Sequence, residues 1–287
     1  LRALEWPRGE PDPTARQAEI YRPRELFRYS LPLAFSNIMA MVLVWIDMIL
    51  LGYFGTTDQV GFYGTAIRVS TGSAAILLSI STVFAPIISD LHNRGQKREL
   101  NALFRTITRW VFIISYPVFL LLVIFAEPVM QIFSKEFAVS SGAVVLLAGG
   151  QLVNAGTGPA GFMVLMSGHS RVELFNVFAS LLVNISLCVI LIPGNGVMGA
   201  AVANMSSAAV INLLRALEVW FYLRLHAYDR TYLTPVLAGS VAAAVIVAVL
   251  YFVTDSSPVF QLLILAPLLL IIYVTIIFLF GLNDRDK

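Results

Sequence analysis

Eight stretches of about twenty mainly apolar residues follow one another along this chain, and they constrain its fold more than any other feature. They occupy residues 30–53, 64–88, 107–132, 141–166, 174–193, 197–222, 236–253 and 260–281. An α-helix needs about 20 apolar residues to cross the hydrocarbon core of a bilayer. Because that core offers no water to backbone polar groups, spanning segments must be helical. The sequence therefore predicts an all-α fold, a polytopic transmembrane helical bundle of about eight spans.

The composition excludes several classes of protein. Hydrophobic residues make up 58% of the 287 residues and charged residues only 13%, whereas soluble domains contain about 25% charged residues. An ordinary soluble enzyme, a disordered chain and a nucleic-acid binder are therefore excluded. The single cysteine, Cys188, lies in an apolar stretch, so no intrachain disulfide can form.

The basic residues alternate between the two sets of loops. Seventeen of the nineteen Lys and Arg residues fall on one set. The opposite set comprises residues 54–63, 133–140, 194–196 and 254–259. It contains Lys135 alone, and the remaining basic residue, Arg68, lies near the start of the second span. Since loops rich in Lys and Arg stay in the cytoplasm, we expect a multi-pass protein of the plasma (inner) membrane with both termini of this chain cytoplasmic.

The chain is predicted to have three parts. Residues 1–28 contain four prolines, six arginines and five acidic residues, a composition that cannot bury a core and is typical of a linker. We interpret them as a cytoplasmic inter-lobe linker, which implies a lobe before it. Residues 29–225 predict a six-helix transmembrane lobe, and residues 226–287 predict an additional transmembrane helix pair with a short cytoplasmic tail.

Two ionisable residues lie at matching depths in the first two spans. Asp47 and Arg68 are each a few residues from the outer ends of spans that a short loop joins. Charged side chains inside a membrane are costly and usually face a bundle interior or a cavity. We predict an Asp47–Arg68 ion pair. It either locks this helical hairpin or takes part in binding an anionic substrate or a coupling ion, and Arg68 could instead snorkel to the outer interface.

Amide side chains recur within the spans and suggest a hydrated interior. The further candidates for lining a substrate cavity are Asn37, Gln151, Asn154, Asn184, Asn204 and Asn212. Such groups also join transmembrane helices through interhelical hydrogen bonds, so each of them has a purely structural alternative.

Glycine and proline interrupt two of the spans. Residues 149–161 contain five glycines and a proline. Because proline removes an intrahelical hydrogen bond and glycine is a weak helix former, Gly156 and Pro159 predict a kinked or broken helix that could act as a hinge. Close packing against a neighbouring helix is the alternative. Pro117 predicts a second, milder kink in the third span.

Arg215 and Glu218 lie three residues apart near the inner end of the sixth span. This spacing places both side chains on one side of a helix. They predict an interfacial ion pair, with a cytoplasmic gate as the alternative.

The sequence lacks the motifs of catalysis. Its three histidines, His92, His169 and His226, fall in loops without the spacing of metal ligands. No nucleophile elbow, P-loop or dinucleotide fingerprint occurs. We therefore expect no catalytic residue, no metal site, no cofactor and no enzymatic activity.

Several short motifs occur in an order that resembles a known family. They are residues 29–33 (YSLPL), 47–54 (DMILLGYF), 60–68 (VGFYGTAIR), 132–137 (IFSKEF), 168–170 (GHS) and 196–201 (GVMGAA). Over residues 24–225 they resemble the second, C-terminal lobe of polysaccharide flippases in the multidrug/oligosaccharidyl-lipid/polysaccharide exporter superfamily. Each motif alone is weak, but their order and spacing across six spans make the resemblance fairly specific.

The resemblance implies a two-lobed transporter that moves lipid-linked oligosaccharide or polysaccharide precursors from the inner to the outer leaflet by alternating access. Its expected partners are membrane lipids, a lipid-linked saccharide and a missing N-terminal lobe of the same protein, with no nucleic acid. Asp47 and Arg68 would border the central cavity. The alternatives are a cation-coupled multidrug exporter of the same superfamily, a membrane-embedded glycosyl- or acyltransferase, and an assembly scaffold without transport activity.

Overall fold

The computed structural model describes residues 23–72, 74–228, 232–252 and 257–280, and these form helices joined by short turns, with no strand among them. The predicted all-α fold is confirmed. The first half contains α1 (Pro23–Phe54), α2 (Thr57–Thr71), α3 (Ala74–Asn93), α4 (Lys97–Ile124), α5 (Ala126–Gln131) and a 3₁₀ turn (Lys135–Ser140).

The second half begins with α6 (Ser141–Thr157) and α7 (Ala160–Met166). The long α8 (Ser170–Glu218) follows and ends in a π-helical turn (Val219–Leu223). The remaining elements are α9 (Leu233–Phe252), α10 (Pro258–Phe260), a π-helical turn (Gln261–Leu265) and α11 (Ala266–Phe280). Most of the predicted linker lies outside the described residues, and its last six residues belong to α1.

Six helical stretches in the described part of the chain are long and apolar enough to cross a membrane. The longest has 54 residues and covers the two predicted spans 174–193 and 197–222, because the chain reverses within it. The predicted span 64–88 is divided between α2 and α3. The protein is thus a multi-pass membrane protein.

The reversal inside α8 occurs at Gly196, whose φ is +49°. A Cβ atom at Gly199 would lie 2.6 Å from the carbonyl carbon of Leu191, so only glycine lets the two arms approach this closely. Farther along the arms, the Ser180 hydroxyl donates to the carbonyl oxygen of Ser207 at 2.9 Å. Residues 170–195 and 197–218 therefore form an antiparallel pair, the α8 hairpin.

The α8 hairpin packs against α1, α6 and α7. A core of buried side chains fills the space between α1, α2, α4, α5, α6 and the hairpin. Its largest fully buried members are Leu51, Tyr63, Met130 and Val144. Alanines at 200, 201 and 203 on the second arm are also fully buried, which allows close helix approach, as is common in membrane bundles.

Helices α9 and α11 pack against α4 next to Pro117. Proline has no backbone N–H, so the carbonyl group four residues earlier, that of Ile113, loses its helical partner. The Tyr273 hydroxyl of α11 donates to this carbonyl oxygen at 2.9 Å. On α9, a Cβ at Gly239 would lie 2.3 Å from the Tyr116 ring. Pro117 is buried and α4 continues through it as one helix, so here the proline provides a docking point for the last two helices.

Replacing Tyr273 by phenylalanine is expected to lower the melting temperature of the purified protein in detergent. The substitution leaves the Ile113 carbonyl without a partner, and an unsatisfied buried group costs about 1–3 kcal/mol. Tyr251→Phe is the matched control, because the Tyr251 side chain on α9 is 78% exposed. Equal melting temperatures for the two variants would contradict the proposed role of Tyr273.

Candidate functional site

Asp47 is the buried acidic group around which α1, α2 and α8 meet. Its side chain is fully buried. Its Oδ2 atom accepts hydrogen bonds from the Tyr63 hydroxyl at 2.6 Å and from Asn204 Nδ2 at 2.7 Å. Its Oδ1 atom accepts one from the backbone N–H of Met48 at 2.9 Å. The Tyr63 hydroxyl also lies 3.5 Å from the carbonyl oxygen of Ala200. These donors stabilise the carboxylate, and no basic side chain among the described residues forms an ion pair with it.

A chain of hydrogen bonds continues from Asn204 across the α8 hairpin. The Ser207 hydroxyl donates to the Asn204 carbonyl oxygen at 2.8 Å and accepts from Asn184 Nδ2 at 3.2 Å. The Cys188 thiol donates to Asn184 Oδ1 at 3.6 Å. The structure thus brings two of the predicted cavity residues, Asn184 and Asn204, into one polar network with Asp47.

The predicted Asp47–Arg68 ion pair is wrong. The Arg68 side chain is exposed, and the donors that reach the carboxylate are Tyr63 and Asn204. Tyr63 and Arg68 lie five residues apart on α2, so they point roughly 140° apart around its axis. Matching depths along the membrane normal cannot show which side of a helix faces its neighbour.

A second polar cluster joins the two arms of the α8 hairpin at the end away from Gly196. Arg215 forms an ion pair with Glu173, in which Nε lies 3.1 Å from Oε2 and Nη2 donates to Oε1. Nearby, Asn176 Nδ2 donates to Glu218 Oε2 at 2.7 Å. The predicted Arg215–Glu218 pair is therefore wrong. Each residue is bound by the opposite arm, because the reversal of the chain brings closer partners than the neighbouring helical turn offers.

Two cavities meet at Arg215. The larger has a volume of about 520 Å³ and lies between α3, α6, α7 and the α8 hairpin. The smaller, of about 360 Å³, lies between α1, α2, α6 and the hairpin. Asn154, Asn212 and Arg215 line both cavities, and Gln151 and Asn204 line the smaller one. Both cavities are thus bordered by polar groups.

Asn37 is placed differently from the other amides. Its side chain is exposed on α1, and it lines neither of these two cavities. Asn212 combines both expected roles, since it lines the cavities and also accepts a hydrogen bond from the Thr157 hydroxyl at 3.1 Å.

The predicted helix break in the fourth span is confirmed between α6 and α7. Gly158 has φ +61° and ψ −146°, and Pro159 follows it. The Gly156 carbonyl oxygen accepts hydrogen bonds from the Tyr228 hydroxyl at 3.2 Å and the Tyr232 hydroxyl at 3.3 Å. Both tyrosines follow the α8 hairpin and precede α9 in the chain. Their hydroxyl groups therefore contact α6 directly beside the break. The hinge role of Gly156 and Pro159 stays a prediction.

Tyr63 and Glu173 escape detection in the sequence for the same reason. Each lies one residue outside an apolar stretch, 64–88 and 174–193. In the structure α2 begins at Thr57 and α8 at Ser170, so both residues are inside helices. Extending each apolar stretch by one helical turn before searching for ionisable residues would have found them.

In sequence, the chain is similar to a family and to a protein that are named for glycan synthesis. A family described as polysaccharide biosynthesis protein matches residues 11–140. The probable low-salt glycan biosynthesis flippase Agl15 of Haloferax volcanii is 25% identical over 214 residues, 74% of this chain and 45% of that protein. An uncharacterised membrane protein of Methanocaldococcus jannaschii is 22% identical over 201 residues, 69% of this chain and 39% of that protein. The chain spans less than half the length of these curated relatives.

Two solved structures share the fold. The lipid II flippase MurJ in an inward closed conformation has a TM-score of 0.69 at 15% identity, over 85% of this chain and 52% of that protein. An outward-facing multidrug resistance MATE family transporter of the MOP superfamily has a TM-score of 0.56 at 16% identity, over 88% of this chain and 63% of that protein. The all-helical bundle therefore has the same fold as parts of these two proteins.

Proposed function

We propose a function from one premise, that this chain is related in sequence and fold to the polysaccharide flippases of the multidrug/oligosaccharidyl-lipid/polysaccharide exporter superfamily. It translocates lipid-linked oligosaccharide or polysaccharide precursors from the inner to the outer leaflet by alternating access. The observation that carries the proposal is the pair of adjoining cavities inside this fold. Both have amide side chains and Arg215 on their walls, and such walls suit hydroxyl-rich, anionic cargo.

The transporting unit comprises this chain and a second lobe. In this proposal residues 29–225 form the six-helix C-terminal lobe, 226–287 the additional helix pair and 1–28 the inter-lobe linker. The chain matches 45% of the length of the glycan flippase and 52% of MurJ, which supports a two-lobed whole. Since half a cavity cannot alternate between two sides, transport requires both lobes.

The proposed location is the plasma membrane, with both termini of this chain in the cytoplasm. Seventeen of the nineteen basic residues fall on one set of loops, and loops of that composition remain cytoplasmic. The inner-leaflet face is then the side on which precursors are assembled and from which they enter.

Asp47 is the proposed site of energy coupling, through a proton or a small cation and the membrane potential. A buried carboxylate inside a span is costly, and Asp47 has hydrogen-bond donors but no ion-pair partner among the described side chains. Neutralising the charge would change the contacts of Asp47 with Tyr63 and Asn204. These contacts join α1, α2 and the α8 hairpin, so occupancy of the site is coupled to helix packing.

Deletion of the gene that encodes this chain tests the proposed function. We expect the lipid-linked saccharide to accumulate on the cytoplasmic leaflet, where an impermeant glycosidase added to spheroplasts cannot reach it, and the intact gene to restore access. Unchanged access in the deletion strain would refute the flippase.

A multidrug exporter is the alternative that the likeness to a MATE transporter favours. In that case the deletion would sensitise cells to cationic dyes and leave the lipid-linked saccharide accessible. Turnover of a glycosyl or acyl donor by the purified protein would instead indicate a membrane-embedded transferase.

A further inference from the structure

Arg215 has more hydrogen-bond donors than its partner uses. A guanidinium group presents five N–H groups, and Glu173 engages the Nε and Nη2 atoms. The side chain of Arg215 is 21% exposed, against 9% for Glu173. Because both cavities border Arg215, its remaining donors are within reach of a ligand that enters either one.

The backbone of α7 leaves space beside the guanidinium. A Cβ atom at Gly161 would lie 3.0 Å from Arg215 Nε and 3.1 Å from Cζ. Glycine at this position thus lets the Arg215 head lie directly against the helix at the wall of the larger cavity. Any larger residue would displace the guanidinium from that position.

Ser81 supplies a second polar group among the lining residues of the larger cavity. Its side chain on α3 is fully buried, and its hydroxyl has no hydrogen-bond partner within the described part of the chain. Leaving such a group unsatisfied costs about 1–3 kcal/mol. A ligand with acceptor oxygens in this cavity would relieve that cost.

The rest of the larger cavity is mainly apolar. Its apolar wall consists of Ala75, Leu77, Leu78, Phe162 and Leu165. A cation and a hydroxyl beside a hydrocarbon wall match an anion attached to a hydrocarbon chain. They do not match a free sugar, which gains nothing from the apolar wall. The volume of about 520 Å³ lies in the usual range of small-ligand sites.

We propose that the larger cavity binds the phosphate group of a lipid phosphate or diphosphate, with Arg215 as its main ligand and Ser81 as a second donor. The phosphate replaces Glu173 as the partner of the Arg215 guanidinium. Arginine can bind a phosphate in the same bidentate manner as a carboxylate. The inference rests on the proposed function in one respect, since a lipid-linked saccharide is one source of such a phosphate. A bilayer phospholipid is the other source.

Binding to the purified full-length protein in detergent tests the proposal. The probes are a polyprenyl diphosphate, phosphatidylglycerol and an uncharged polyprenol. We expect the diphosphate to bind, Arg215→Gln to weaken binding at least about tenfold, and Ser81→Ala to weaken it a few-fold. Glu173→Gln should strengthen binding, because it removes the competing carboxylate. Arg94→Gln is the matched control, since it removes an arginine whose side chain is 66% exposed and which lines neither cavity, so it should change nothing.

The opposite signs of the two charge substitutions make the result decisive. Weaker binding with Glu173→Gln, unchanged binding with Arg215→Gln, or equal affinity for the uncharged polyprenol would each overturn the proposal. Melting temperatures identify variants that fail to fold, and Arg215→Lys, which keeps the charge and loses the bidentate geometry, then serves as the test, with weaker binding expected.

The probes also identify the source of the phosphate. Preference for the diphosphate assigns the site to the lipid-linked substrate, and equal affinity for phosphatidylglycerol assigns it to bilayer lipid. If the gene deletion shows no flippase defect but the binding results hold, the proposed function fails and the phosphate site stands. A flippase defect without any effect of Arg215→Gln on binding removes the site alone.

Discussion

Replacing Asp47 by asparagine is expected to abolish transport while leaving the protein folded. Asparagine has nearly the shape of aspartate, and its Oδ1 can still accept the hydrogen bond that the Tyr63 hydroxyl donates at 2.6 Å. The same oxygen can also accept from Asn204 Nδ2, which donates to the same carboxylate oxygen in the structure. Only the backbone N–H of Met48 loses its acceptor. Packing around the site therefore survives, but the charge that would bind a proton or a cation is gone.

Transport by Asp47→Asn should fall by roughly a hundredfold or more, because a change of only about 2.7 kcal/mol in a conformational equilibrium has that effect. The measurement is the rate at which the lipid-linked saccharide becomes accessible at the outer face of spheroplasts that carry the variant gene. Melting temperature in detergent should be close to that of the unmodified protein.

Two variants control for the loss of charge and the loss of hydrogen bonding at Asp47. Asp58→Asn removes an exposed acidic residue in the first turn of α2 and should leave transport unchanged. Tyr63→Phe removes one donor to Asp47 but keeps the carboxylate, so its rate should be intermediate. A rate close to normal in Asp47→Asn would refute ion coupling at this site.

The fold could be predicted from the sequence because the exclusion of water from the bilayer leaves few structures available. Long apolar stretches must be helices, and the break at Gly158 and Pro159 follows from the local properties of these two residues. Both predictions depend only on residues that are close together in the sequence. The division of the second span between α2 and α3 was not predicted, although the junction contains Ser70, Thr71, Gly72 and Ser73, which are weak helix formers.

The pairings within the site could not be predicted, because they join residues from different helices. Asp47 binds Asn204, which lies 157 positions away, and Arg215 binds Glu173 across a reversal of the chain. Sequence spacing ranks partners on the same helix first, so it favoured Glu218 for Arg215. The partner of Pro117 shows the same limit, since a missing backbone hydrogen bond is predictable but its replacement by Tyr273 is not.

Replacing Gly158 by alanine is expected to give the largest loss of folded protein among single glycine substitutions outside the α8 hairpin. With φ +61° and ψ −146°, this residue adopts a conformation that is essentially restricted to glycine and costs about 1–3 kcal/mol in other residues. A Cβ atom would also lie 2.2 Å from Thr108 Oγ1 and 3.0 Å from Thr108 Cα. Rotation of the Thr108 side chain cannot relieve the contact with its backbone, so α4 and α6 must separate.

Substitutions at two other glycines separate the backbone strain at Gly158 from its close contact with Thr108. The measurement is the yield of monodisperse protein after detergent extraction. Gly168 has φ +86°, but no atom lies within 4 Å of the position that a Cβ would take, so Gly168→Ala reports backbone strain alone. Gly61 has neither a positive φ nor a close neighbour, so Gly61→Ala should be neutral or slightly stabilising. If Gly158→Ala gave the same yield as Gly168→Ala, the close contact between the helix break and Thr108 would have no energetic weight. The break would then be free to move without α4, which would make it a hinge independent of the helix on which α9 and α11 dock.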